Sequence, residues 1–285
     1  MGADNSKSFL KRFFIFLLFA LPFAYIGIMF AVTIHEISGH GLGSLVLGGT
    51  FDGFTLKPDG MGWANVDTSN ISITKQALVY LIGPASTLVW GIILLIFAYA
   101  LRKRFFTSLG VLILALNCLL EGPPYIFWNA IKPLPPGDIG RILELIPSAS
   151  LRFTLMIIGG IITLGGIVLV NILLYNKGYS YLSKAKDTTT LKKWIFILVL
   201  FAAQAGSWFI FDWNQLAPGL DMLPNIVGTA ITGIVLLVLG LKKETKNNEE
   251  INDSSWKLAI GTAWIVVIII AILTITLFQY SIVLK

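Results

Sequence analysis

The sequence predicts an all-α polytopic membrane protein with about seven transmembrane helices, and three observations carry that prediction. Hydrophobic residues make up 56% of the 285 and charged residues 13%, with a mean hydropathy of +0.82. Soluble domains carry about 25% charged residues, so the outer surface of this chain must face lipid. Apolar runs of about 20 residues, enough to cross a hydrocarbon core, recur along the chain. Between them, 15 of the 21 Lys and Arg fall in four places, at 7–12, 102–104, 177–193 and 242–257. Cytoplasmic connections collect basic residues in this way.

The first apolar run, Phe13 to Ile34, follows Lys7, Lys11 and Arg12. Its flank is that of a secretory signal, but the run continues unbroken into the next stretch, so it is read as a helix. The remaining runs are Ala77 to Leu101, Thr107 to Leu120 (short), Phe153 to Tyr175, Trp194 to Phe211, Leu223 to Leu241 and Leu258 to Tyr280. Basic connections on the inside place the N-terminus in the cytoplasm and the C-terminus outside. Glu121 to Arg152 must then enter and leave the membrane on one side.

Two connections stand out. Gly48 to Val66 alternates like a strand and is broken by Pro58-Asp59-Gly60, which predicts a small β-hairpin after the first helix. A plain surface loop is the alternative. Glu121 to Pro147 holds five prolines between Pro123 and Pro136, which predicts a broken segment and no continuous helix. Asp138 then opens a short helical run to Ile146, with Arg141 and Glu144 one turn apart. Either this segment lines a cavity at membrane depth, or it is an extramembrane loop capped by Asp138. Asn176 to Thr190 and Lys242 to Ser255 read as polar, solvated connectors. The single cysteine, Cys118, excludes an intramolecular disulfide and a cysteine-based zinc site. A net charge of +6 does not imply nucleic acid, because the basic residues are scattered between apolar runs.

The chemistry concentrates at His35-Glu36-Ile37-Ser38-Gly39-His40, which holds the only two histidines of the chain. Ionisable side chains at membrane depth need a compensating partner, and a divalent metal is the natural one for two imidazoles and a carboxylate. The usual helical zinc motif places its histidines at i and i+4, with the glutamate reaching the water. Here the spacing is i and i+5, which in a regular helix leaves the side chains about 140° apart. One ion can be shared only if the helix widens, and a π-bulge near Ser38-Gly39 would supply the extra residue.

Three motifs resemble those of the site-2 proteases, the family of intramembrane zinc metalloproteases. His35 to His40 stands where that family has HExxH, with one residue more. Leu81-Ile82-Gly83-Pro84 resembles the Gly-Pro segment of its next core helix. Lys132-Pro133-Leu134-Pro135-Pro136-Gly137-Asp138-Ile139-Gly140-Arg141 resembles its proline-rich Asp-Gly-Gly-Arg segment, with Ile139 in place of the first glycine. The hairpin at Gly48 to Val66 occupies the place of its membrane-associated β-loop. The resemblance implies Zn2+ held by His35, His40 and Asp138, Glu36 as general base, and Asn129 helping to hold substrate. It covers roughly residues 1–150, the implied catalytic core, and leaves 151–285 as additional helices of unassigned role.

The activity implied is hydrolysis of peptide bonds in or near the transmembrane segment of a protein substrate, as in regulated intramembrane proteolysis. The partners are then that substrate and the lipid bilayer, with no nucleic acid, in a multi-pass protein of the cell membrane. An extended substrate segment would join the hairpin edge as an added strand. Two other readings share the pattern. A non-catalytic relative binding metal or membrane partners is consistent with the five-residue spacing. A transporter is consistent with broken helices and charges at depth, although no internal repeat is visible.

Overall fold

The computed structural model describes residues 8–131, 137–185, 187–210, 223–241, 256–276 and 282–283. The proline-rich residues 132–136 and the basic stretch 242–255 lie outside the described residues. Helix α1 (Phe9–Thr33) passes without a break into a π-helix (Ile34–Gly41) and then α2 (Leu42–Leu47). The hairpin strands β1 (Thr50–Leu56) and β2 (Gly62–Asp67) follow, then α3 (Ile73–Ala100), α4 (Phe105–Ile131), α5 (Gly137–Leu145) and α6 (Ala149–Leu182). Helices α7 (Thr190–Ile210), α8 (Leu223–Leu241) and α9 (Trp256–Thr276) and the short strand β3 (Ile282–Val283) complete the order.

Among the described residues, five helical stretches are long and apolar enough to cross a membrane: Phe9–Leu47, Ile73–Ala100, Phe105–Ile131, Ala149–Leu182 and Trp256–Thr276. Their outward faces carry large apolar side chains, such as Phe14 and Leu18 on α1, Ile96 on α3, Ile161 on α6 and Ile268 on α9. Apolar patches of that extent are lipid-facing, not water-facing. The chain is an integral membrane protein.

Helix α4 is the most buried of the five and touches α1, α3 and α6. On one side an aromatic cluster fills the space between α1, α4, α6 and α7, with Phe16, Phe19, Phe106, Tyr181 and Phe196 almost wholly enclosed. The Phe16 and Phe196 rings meet edge to face at 5.6 Å, and Phe105 stacks on Tyr181 at 4.8 Å. On the other side Ala77, Ile126, Ala130, Ile139 and Ile142 pack α3, α4 and α5 together, fixing the position of Asp138.

Two sequence expectations are corrected here. The prolines at 123 and 124 do not end a helix: α4 runs through both to Ile131. They give no N–H to the carbonyls of residues 119 and 120, but the helix is clamped laterally. Gly122 lies against the Pro84 carbonyl and Thr87 of α3, and the backbone of Phe127 lies against Gly159 of α6. Packing on both flanks outweighs the local loss, as is usual for proline inside membrane helices. The supposed connector from Asn176 is helix as far as Leu182, and Tyr181 and Leu182 are fully buried. Tyr181 belongs to the aromatic cluster, and the Arg12 guanidinium sits 5.0 Å over its ring.

The hairpin forms as predicted. β1 and β2 are antiparallel, with Phe54 opposite Ala64, Leu56 opposite Gly62 and a bulge between Phe51 and Gly53. The turn closes through Lys57 N–H to the Met61 carbonyl at 2.7 Å and Met61 N–H to Asp59 Oδ1 at 3.0 Å, with Gly60 at a positive φ of 84°. Tyr25 Oη donates to the Pro58 carbonyl, tying the turn to α1. β3 pairs with the other edge of β1 at Gly53 and Phe54, so the sheet order is β2-β1-β3.

Candidate metal centre

The π-helix is the local structure on which the site depends. A π-turn advances about 82° per residue, so five residues bring a side chain to within about 50° of its starting direction. That is close to the roughly 40° offset of i and i+4 in an α-helix. The widening extends over Ile34–Gly41, broader than the single bulge expected at Ser38-Gly39. Two contacts with α3 hold it. Gly39 approaches the Gly83 backbone so closely that a Cβ on Gly39 would overlap it. The Ser86 hydroxyl lies 3.2 Å from the Ile34 carbonyl, where the hydrogen-bond ladder changes pitch, and 2.7 Å from the Gly83 carbonyl.

With the helix so widened, His35 Nε2 and His40 Nε2 stand 3.1 Å apart. Asp138, at the start of α5, places Oδ2 2.9 Å from the first and 3.1 Å from the second. His35 and His40 are buried, and Asp138 nearly so. The outer nitrogens define the tautomers. His40 Nδ1 lies 3.0 Å from the Val79 carbonyl oxygen, which can only accept, so Nδ1 carries the proton. His35 Nδ1 lies 2.7 Å from Glu121 Oε1, an ion-pair separation bent from the ideal N–H direction. With Nδ1 protonated on both rings, the two Nε2 atoms present lone pairs beside a carboxylate oxygen.

Three lone pairs converging in a buried site attract a cation. Ligand atoms on a four-coordinate ion with bonds of about 2.0–2.1 Å stand about 3.3 Å apart, a few tenths of an ångström wider than this triangle. Gly83 of α3 faces it. A Cβ built there would lie 2.5 Å from His40 Nε2 and 2.6 Å from His35 Nε2. The missing methyl thus leaves a cradle of ionic size in front of both nitrogens, and the residues fit a zinc-type metal. His35, Glu36 and His40 form a group whose ligand atoms all lie within 4.8 Å of one another. These three could hold a metal ion by themselves, and Glu36 stands next to the triangle that Asp138 closes. Across from Glu36 stands the start of β2, where a Cβ on Gly62 would meet Glu36 Cγ at 3.3 Å.

The family model described as peptidase M50B-like matches residues 12–211. The chain belongs to that family. It is the site-2 protease group that the motifs resemble, so this M50B-like protein sits among membrane metallopeptidases. The match runs from Arg12, within the first turn of α1, through α7 and takes in all the residues of the triangle. No curated protein and no solved structure matches the chain.

Sequence reasoning brought His35, Glu36, His40 and Asp138 to this place and missed three neighbours. Glu121 directly follows the apolar run Thr107 to Leu120, and an acidic residue there was a signal of function. Tyr125, one turn further on, sets its ring edge to face against His35 at 6.1 Å. Gly83 was legible as a motif but not as the wall of the cradle. Asn129, expected to hold substrate, is buried on α4 with its Nδ2 donating to the Tyr125 carbonyl at 2.9 Å.

Proposed function

We propose that the chain is a zinc-dependent intramembrane protease hydrolysing peptide bonds in or near the transmembrane segment of a protein substrate, in the cell membrane. The observation that carries this reading is the buried triangle of His35 Nε2, His40 Nε2 and Asp138 Oδ2, with all sides between 2.9 and 3.1 Å and a further carboxylate, Glu36, beside it. Zinc bound there supplies Lewis acidity and lowers the pKa of water towards about 7. Glu36 takes the proton of the attacking water and returns it to the departing amine, the role of a general base placed next to the metal. The non-catalytic alternative leaned on the five-residue histidine spacing, and the π-helix removes that geometric objection.

Substrate placement follows from the hairpin. β2 is an outer strand of the sheet and begins against Glu36. An extended segment added to its outer edge, unpaired among the described residues, would run past the base with its carbonyls unshielded, whereas the opposite edge of β1 is paired to β3 at Gly53 and Phe54. With its Nδ2 engaged, Asn129 would assist through Oδ1 by accepting a substrate N–H. Residues 1–150 form the catalytic core in this reading, and the helices after it have a supporting role.

The test is a purified, detergent-solubilised chain presented with transmembrane peptide substrates. Glu36→Gln should keep one zinc per chain and lose cleavage, while His35→Ala and His40→Ala should lose the zinc. Wild-type protein purified without chelator and free of zinc would sink the reading. Zinc-loaded protein that cleaves no membrane substrate would transfer it to the non-catalytic relative.

A further inference from the structure

Glu121 occupies a costly position. It lies in the middle of α4, a membrane-spanning helix, where an ionised carboxylate requires a partner. The one the structure provides is His35 Nδ1, 2.7 Å from Oε1. Neither His35 Nδ1 nor Glu121 Oε2 has a hydrogen-bond partner of its own among the described residues. The contact is on the far side of the imidazole from the triangle, so Glu121 reaches the ring and not the place where the three ligand atoms converge. The two rings are thereby made unequal. His40 is backed by a neutral peptide carbonyl, and His35 by a charged carboxylate.

We propose that Glu121 is a positioning residue of the metal centre: it fixes His35 as the Nδ1–H tautomer and turns Nε2 towards His40 and Asp138. Carboxylate-backed histidines of this kind orient metal ligands generally, and losing the outer partner costs about 10–100-fold in metal affinity. Tyr125 supports the arrangement by limiting rotation of the His35 ring, because its ring edge stands at 90° to the imidazole. The proposal rests on the zinc-centre reading above and adds a residue to it.

The experiment uses the full chain in detergent, titrated with zinc against a chelator and, separately, loaded with cobalt for its visible absorption bands. Glu121→Gln keeps the shape and removes the charge. It should weaken zinc binding about 10–100-fold and shift the cobalt bands. Glu144→Gln, an exposed carboxylate paired to Arg141, should change neither. Glu121→Ala should weaken binding at least as much, and if it does not fold, Glu121→Gln carries the comparison. A measurement on the unsubstituted protein needs no variant: with two histidines in the chain, 15N shifts of the zinc-loaded form should show both protonated at Nδ1. Wild-type affinity and cobalt spectrum in Glu121→Gln, or a His35 protonated at Nε2, would overturn the proposal and leave the zinc centre standing. A wild-type chain that binds neither metal would overturn both.

Discussion

Gly83→Ala tests the cradle most directly. The added methyl would lie 2.5 Å from His40 Nε2 and 2.6 Å from His35 Nε2, against an ordinary carbon–nitrogen contact of about 3.4 Å. The rings would have to retreat by about 0.8–0.9 Å, and metal–ligand distances tolerate about 0.2 Å. Zinc occupancy should therefore fall from one per chain to near zero. The cost to the fold is smaller. Overpacking costs about 1–3 kcal/mol, and alanine recovers roughly 0.8–1.0 kcal/mol over glycine inside a helix, leaving a net loss of about 0–2 kcal/mol. Elemental analysis and thermal unfolding of the metal-free proteins separate the two effects. Gly165→Ala is the control, because a Cβ there meets nothing within 4 Å, and it should keep its zinc. Full zinc occupancy and wild-type cleavage in Gly83→Ala would show that the two Nε2 atoms do not converge over Gly83.

Deleting Ser38 restores the HExxH spacing, and four α-helical steps return His40 to within about 10° of the direction that five π-helical steps give it, so zinc should be retained; loss of zinc would contradict the role given to the π-helix. Gly137→Ala should be worse than an ordinary glycine substitution, because φ there is 73° and the new methyl would collide with the Tyr125 hydroxyl. Loss of zinc should accompany it, since Asp138 is the next residue, and elemental analysis reads this. Outside the membrane, Asp187 caps α1 by accepting from Phe9 N–H at 2.7 Å. Its carboxyl is held below the usual range, first by the Lys192 ammonium at 2.6 Å and then by that N–H. A depressed carboxylate contributes fully above its ordinary value of about 3.9 and loses that contribution as pH falls through the lower folded value. Protection of the Phe9 amide, measured against its intrinsic exchange rate, should therefore hold down to about pH 4 and fall below it, and Asp187→Ala should lack that protection at every pH.

Much of this was legible in the residues because membrane depth makes each polar choice informative. The five-residue histidine interval, read against helix geometry, already demanded a widened turn, and Pro58-Asp59-Gly60 already marked the hairpin. What stayed hidden depended on neighbours distant in sequence. Pro123 and Pro124 look like a stop until α3 and α6 are known to grip the helix on both sides. Asn176 onward looks solvated because its Lys and Ser are counted before Tyr181 is seen inside an aromatic cluster. Glu121 lacks a spacing rule, since its partner is 86 positions earlier in the chain. The pairing of β3 with β1 joins segments more than 200 residues apart, and two short apolar residues carry no signal of it.

The π-helix also imposes an order of events. An isolated first helix entering the bilayer has no reason to adopt the wider pitch, since α-helical bonds are available throughout and Gly39 has nothing to lie against. In that state its two imidazoles point about 140° apart and share no ion. The wider turn becomes favourable when α3 docks with Gly83 and Ser86 against it, and Asp138 arrives only with α5. Membrane helices insert first and associate afterwards. If the centre takes zinc as proposed, metal capture is thus deferred to the last stage of assembly, and a nascent or misassembled chain has no assembled site.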